Sequence, residues 1–379
     1  MCPRVGLGTN PMSATAARSR RVLIIASLLA TVAASAPVMA VVVGGTRTTN
    51  TAAQADHSIA ELRNEYKRPP VIAFPSDNPY TPQKMLLGKK LYFDTRLSGG
   101  NVLACATCHN PGYGWGDGQP KGIGHGMNVL GRRSPTIINA AYLQILMWDG
   151  RAGSLEEQAL GPIQADAEMH LQLDQLMARL NSISEYGPLF ESAFGQKDIE
   201  PSMVAKAIAT FERTVVSGRA PFDQWVAGDE KAISEEAKRG FVTFNTKARC
   251  AECHGSWRFT DDSFHDIGLP SDDIGRGKFL PDVVKMQHAF KTPGLREIAR
   301  RAPYMHDGSM PTLEAVVDHY DEGGVARPSR SDLMKPLQLS SQEKADLVAF
   351  MKTLTSDVGP VSVPVLPRLN NSSSTRRET

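Results

Sequence analysis

The chain has 379 residues, enough for about two or three domains. It is 41% hydrophobic and 22% charged, which excludes wholesale disorder and a collagen-like fibre. Formal net charge is +2; without the first 40 residues, which carry four arginines and no acid, 38 basic residues face 40 acidic ones, so nucleic acid is not an expected partner.

Residues 1–40 read as a secretory signal peptide. Arg18, Arg20 and Arg21 precede an apolar run from Val22 to Ala34, and Ala34-Ser35-Ala36 and Val38-Met39-Ala40 offer small-residue exits. A membrane anchor is the alternative. Ser27, Thr31, Ser35 and Pro37 interrupt the run, and a span wants about 20 clean apolar residues. The mature chain is therefore expected outside the cytoplasm, in the periplasm, with no membrane segment. Residues 41–70 are polar and unpatterned and are expected to be a linker or amino-terminal arm. Residues 99 to 135 are glycine-rich and are expected to be loop. Leu171 to Leu180 is amphipathic, and Ser202 is expected to cap a helix bearing Val204, Ile208, Phe211 and Val215. Pro221 to Asp229 reads as a connector. Ser234 and Thr312 are placed to cap further helices, and Ser340 with Glu343 forms a capping box. Residues 357–379 read as a disordered tail. No run of strands is evident, so the class is mainly α.

Four of the five cysteines lie in two motifs, Cys105-Ala106-Thr107-Cys108-His109 and Cys250-Ala251-Glu252-Cys253-His254. Each is C-x-x-C-H, the attachment pattern of a c-type haem. Two thiols reach the two vinyl groups of one porphyrin, and the adjacent histidine is delivered beneath the iron. A redox dithiol needs no following histidine. A zinc site drawn from both thiol pairs is the other alternative. The distance between the motifs leaves room for two small helical domains built on one plan, although no internal repeat is visible beyond the motif. The expected domains are 71–228 around the first haem and 229–356 around the second.

The second axial position of each iron decides between electron transfer and peroxide chemistry. Tyr320 lies on the apolar face of its predicted helix, where spacing alone favours a core phenol bonded to a carbonyl. His319 beside it should point sideways. His125 stands between Gly124 and Gly126, which suits either an exposed loop histidine or a ligand that can leave.

The text around the two motifs resembles the bacterial di-haem cytochrome c peroxidase and MauG superfamily over roughly residues 70 to 356. The blocks that carry the likeness are Gly122-Ile123-Gly124-His125-Gly126, Ser134-Pro135-Thr136, Trp148-Asp149-Gly150-Arg151, Phe259-Thr260-Asp261-Asp262, Pro303-Tyr304-Met305-His306-Asp307-Gly308 and Lys344-Ala345-Asp346-Leu347-Val348. The resemblance implies two cytochrome c-like helical domains and two covalently bound haems c. It implies hydrogen peroxide as oxidant at the His109 haem and a second haem on His254. His125 matches the histidine that closes the peroxidatic iron at rest. Gln158 and Glu168 match the polar pair over its distal face, and Trp148 matches the tryptophan between the haems. Tyr320 matches the position that is methionine in cytochrome c peroxidases and tyrosine in MauG, which favours iron ligation after all. Met305, Met310 and Met286 are the fallback ligands. An anionic oxygen favours oxidised iron where a thioether favours reduced iron, so the expected activity is MauG-like, with a high-valent di-haem state oxidising a residue on a partner protein. The alternatives are peroxide reduction with electrons from a small cytochrome c or cupredoxin, and a non-enzymatic electron-transfer protein. Two departures stand out. His125 and Tyr320 come from different branches of the family, and Arg133 replaces an asparagine that ligates calcium, which arginine cannot do.

Overall fold

The structure, a computed structural model, describes residues 59–368. The expected signal peptide, the first part of the expected linker and residues 369–379 lie outside the described residues.

The described chain is helical, with one short antiparallel ribbon of β1 (Phe264–His265) and β2 (Phe290–Lys291). A first helix, α1, is seen over 59–65, within the segment expected to be linker. Tyr66 follows it, is 1% exposed, and donates its hydroxyl to Asn245 Oδ1 at 2.7 Å. The described end of the arm is therefore docked, because one large aromatic side chain buries itself among others. Then come α2 (Pro82–Phe93), α3 (Cys105–Cys108), α4 (Leu155–Gln164), α5 (Leu173–Asn181), α6 (Tyr186–Phe194) and α7 (Pro201–Arg213). They are followed by α8 (Pro221–Val226), α9 (Glu235–Asn245), α10 (Ala251–His254), α11 (Leu313–Glu322) and α12 (Ser341–Lys352). Residues 99 to 135 are mostly irregular, with only α3 and isolated 3-10 turns.

Side-chain oxygens start the helices where the capping residues stand. Ser234, Thr312 and Ser340 each accept a bond from the backbone three residues on, and Glu343 closes the capping box. Ser202 does not cap α7. Pro201 occupies the first helical position, where its missing N–H costs nothing, so the cap falls on Glu200. The expected connector contains α8, held by the Asp223 carboxylate accepting from Ala220 N at 2.9 Å.

Two apolar clusters form the core. The first gathers Leu87, Leu91, Ile163, Leu176, Phe190 and Ile208 from α2, α4, α5, α6 and α7. The second gathers Tyr66, Phe222, Trp225, Phe241, Phe259 and Phe350. Each such side chain contributes about 1.5–3 kcal/mol by leaving water. In each cluster one helix pair crosses at a glycine. A Cβ on Gly88 of α2 would lie 1.8 Å from Ala207 O of α7 and 3.0 Å from Phe211 Cβ. A Cβ on Gly240 of α9 would lie 1.9 Å from Asp346 O of α12 and 2.9 Å from Phe350 Cβ. Both crossings need the bare backbone. The two halves thus share a plan that the sequence shows only as one glycine and one phenylalanine.

Residues 357–368, expected to be disordered, run as extended chain held at several points. Arg96 donates to Pro367 O at 2.9 Å, and Arg368 N donates to Glu185 Oε2 at 3.1 Å.

Candidate functional site

Both motifs put their histidines on the same footing. His109 ends α3, and its Nδ1 bonds Pro135 O at 2.8 Å. His254 ends α10, and its Nδ1 bonds Phe259 O at 2.8 Å. A backbone carbonyl accepts only from N–H, so both rings carry their proton on Nδ1 and keep the Nε2 lone pair free. Burial lowers the pKa of both, outweighing these carbonyl bonds, and keeps them neutral. Both line one cavity of about 2430 Å³, open mouth included.

The four motif cysteines are free thiols. Burial raises the pKa of Cys108 to about 11 and that of Cys250 to about 12. Among the described residues the two thiol pairs do not converge on a metal-sized cluster. The group that does is Cys253, Asp261 and His265, whose ligand atoms lie within 4.8 Å of one another. That is one thiol with a histidine–carboxylate pair, not the zinc site considered from sequence. His109 and His254 share the cavity, Cys250 and Cys253 line it, and the free thiols of both motifs with neutral imidazoles fit covalently attached haems.

The other expected residues divide into two sets. Trp148, Gln158 and Tyr320 line the cavity with the two histidines. Trp148 is pinned by its indole N–H to Arg133 O at 2.9 Å and lies edge-on to His306 at 6.4 Å. Its neighbour Asp149 is buried and receives Arg132 Nη1 at 2.6 Å, and the same guanidinium reaches Asp273 at 2.6 Å. Gln158, on α4, faces Met147, with Nε2 to Sδ 3.8 Å. Tyr320, on α11, has its pKa raised by burial and by the nearby Cys253 and Cys250. No hydrogen bond to its hydroxyl is found among the described residues, so the core-phenol reading lacks its carbonyl. His319 turns aside, with Nε2 to Ile267 O at 2.9 Å. Met305 also lines the cavity.

His125 and Glu168 do not line it. The His125 ring stacks on His170 at 4.5 Å between centroids. Its backbone N–H donates to Glu168 O at 2.7 Å, which ties the glycine-rich loop to the Glu168 segment. Glu168 lies within electrostatic reach of Cys108, and burial raises its pKa against the pull of Arg151. A carboxyl with a raised pKa beside the first motif is suited to proton transfer.

Sequence reasoning assigned no role to Arg301, His306 or Glu212, all of which line the cavity. Arg301 precedes a motif block and His306 lies within it, but nothing in the text says that buried polar atoms there lack partners. Glu212 is 4% exposed with Oε2 unbonded, and helical periodicity places it no differently from a surface acid.

Known proteins share this architecture. The family described as "Di-haem cytochrome c peroxidase" matches residues 82–231. The chain is 51% identical over 322 residues to the methylamine utilization protein MauG of Methylorubrum extorquens, covering 84% of this chain and 91% of that one. It is 36% identical over 300 residues to the cytochrome c551 peroxidase of Pseudomonas aeruginosa, covering 76% and 83%. Among solved structures, a MauG-like protein associated with microbial copper homeostasis superposes with a TM-score of 0.72 at 32% identity, covering 77% of this chain and 94% of that one. The chain belongs to the di-haem cytochrome c peroxidase and MauG superfamily of peroxidase-type oxidoreductases, whose members carry two haems c.

Proposed function

We propose that this protein is an exported, periplasmic enzyme that uses hydrogen peroxide to oxidise an amino-acid side chain on a partner protein. One observation carries the reading. The Tyr320 phenol faces the cavity it shares with His254 and has no hydrogen-bond partner there. A phenol oxygen on that side suits oxidised iron, and a thioether would suit reduced iron. Among the described residues no helix is long and apolar enough to cross a membrane.

Residues 71–228 would hold the first haem on Cys105, Cys108 and His109. Residues 229–356 would hold the second on Cys250, Cys253, His254 and Tyr320. When bound, the two haems supply the redox chemistry: peroxide takes up two electrons and two protons and leaves as two waters. Gln158 offers its amide N–H to orient peroxide. Glu168, whose pKa burial raises, carries a proton from one peroxide oxygen to the departing one. Its segment must approach the cavity for this, and the Glu168–His125 backbone bond makes the glycine-rich loop move with it. His125, stacked on His170, leaves the first site open to peroxide. Trp148 holds the segment of Arg133 against that of Lys291, whose N–H donates to Trp148 O at 2.8 Å, and its ring offers an electron path. At the position of the family's calcium-ligating asparagine, the Arg133 guanidinium donates to the Arg301 carbonyl.

Tyr320→Met tests the reading. The midpoint potential of the second haem should rise and oxidation of the partner side chain should fail; unchanged spectra would refute ligation. The likeness to cytochrome c551 peroxidase supports a second reading, peroxide removal fed by a small cytochrome c or cupredoxin. Rapid multiple turnover with such a donor in reduced form would establish it instead.

A further inference from the structure

The cavity wall contains a cluster of buried polar groups that the protein does not satisfy. Arg133, Arg301 and His306 are 7%, 5% and 3% exposed. Arg133 Nε, Arg301 Nε and His306 Nε2 are buried with no hydrogen-bond partner. All three residues line the cavity. Each guanidinium also makes one carbonyl bond: Arg133 Nη2 reaches Arg301 O, and Arg301 Nη2 reaches Gly294 O. Backbone bonds tie the cluster together, with Arg133 N donating to His306 O at 2.8 Å.

No carboxylate answers these two cations among the described residues. Asp117 and Glu297 act on them only at a distance. Asp117 is committed to Ser134 Oγ at 2.8 Å and Gln119 N at 3.0 Å. Glu297 is committed to Ser356, backbone and hydroxyl. Asp223 is committed to Arg296 at 2.8 Å. Two neighbouring guanidinium groups in mutual repulsion, largely buried and without a carboxylate, favour an anion in the cavity they line. The position names the anion. Arg133 is in the segment whose Pro135 carbonyl orients His109, and Arg301 is within electrostatic reach of His254.

We infer that Arg133, Arg301 and His306 form a carboxylate-binding site that receives propionate groups of the prosthetic groups on His109 and His254, with Arg133 as a fixed internal cation between the two centres. This rests on the haem reading above and adds a role to residues that reading does not use. A planar guanidinium suits a carboxylate bidentately, and lysine keeps the charge without the fork.

The experiment begins with a haem count. Pyridine haemochrome on wild type and Arg133→Gln should give two haems per chain; fewer in wild type would overturn the haem reading itself. With two haems in place, spectroelectrochemistry of Arg133→Gln should show at least one midpoint potential shifted downward, because a lost cation favours the ferric state. Arg133→Lys should restore most of that shift. Unmoved potentials in Arg133→Gln, or a Lys variant that behaves like Gln, would overturn the inference and leave the haem reading standing. A crystal structure of wild-type holoprotein decides the matter even if the Gln variant does not fold. Propionate oxygens should lie within hydrogen-bond distance of both guanidinium groups, and guanidiniums bonded only to protein and water would refute the site.

Discussion

The His109 half and the His254 half hold their histidines alike and differ in what faces them. In each, a helical turn ends at the histidine and a carbonyl takes its Nδ1 proton. The carbonyl comes from Phe259, close in sequence, in the second half, and from Pro135, across a long glycine-rich loop, in the first. The cavity wall also carries Gln158 and Met147 from one half and a partnerless phenol from the other. In the proposed function the shared side would supply attachment and the unshared side the division of labour, because the second axial position decides whether an iron meets peroxide or stays closed.

Removing the shared chemistry should have the largest effect. Cys250→Ala with Cys253→Ala should drop the haem count from two per chain to one, with the His109 haem retained. A count still at two would mean that the motif is not the attachment site. Next in size is the unshared proton chemistry. Glu168→Gln should slow the reaction with peroxide by roughly 10²–10⁴-fold. Both midpoint potentials should stay where they are, and a rate within a few-fold of wild type in stopped-flow would remove Glu168 from the mechanism.

The helix crossings test whether the halves are equivalent in construction. Gly88→Ala and Gly240→Ala each drive a methyl into a backbone carbonyl, and each should cost about 1–3 kcal/mol in urea unfolding. Similar losses would support one plan used twice; a neutral variant in one half would show that its crossing can relax.

The effect confined to one pH window is a slope peculiar to the first half. Burial pushes the Glu212 carboxyl up to about 8, with Arg213 opposing and Glu156 adding. An unfolded glutamate ionises near ~4.3. Its folded, protonated form therefore contributes stability that is complete below that pH and is lost as pH rises to about 8. The slope inside this window is about 1.4 kcal/mol per pH unit. Glu212→Gln should remove it, so the variant should outlast wild type in alkaline melts and match it in acid. Parallel pH profiles for the two proteins would assign the slope elsewhere.

Much of the site was readable from residue types. C-x-x-C-H is a local pattern because the porphyrin spans adjacent thiols, and the helix caps are local because a side-chain oxygen reaches only two or three residues ahead. The cap at Ser202 misled because Pro201 competes one position earlier. Tyr320 could be suspected from helical spacing, but spacing says only that the phenol is inside; whether a carbonyl waits for it is a question of what packs opposite.

By itself, then, the sequence determined the two attachment motifs, the helical class and most helix starts, all of which depend on groups within one turn of each other. Tertiary structure alone decided that Trp148, Gln158 and Tyr320 share one cavity while His125 and Glu168 stand off it. It also decided that Tyr66 docks the arm and that Arg133 and Arg301 are buried without a carboxylate. The physical reason is range. Burial and charge pairing depend on which distant segments meet, and a guanidinium looks the same in the text whether water or an apolar wall surrounds it.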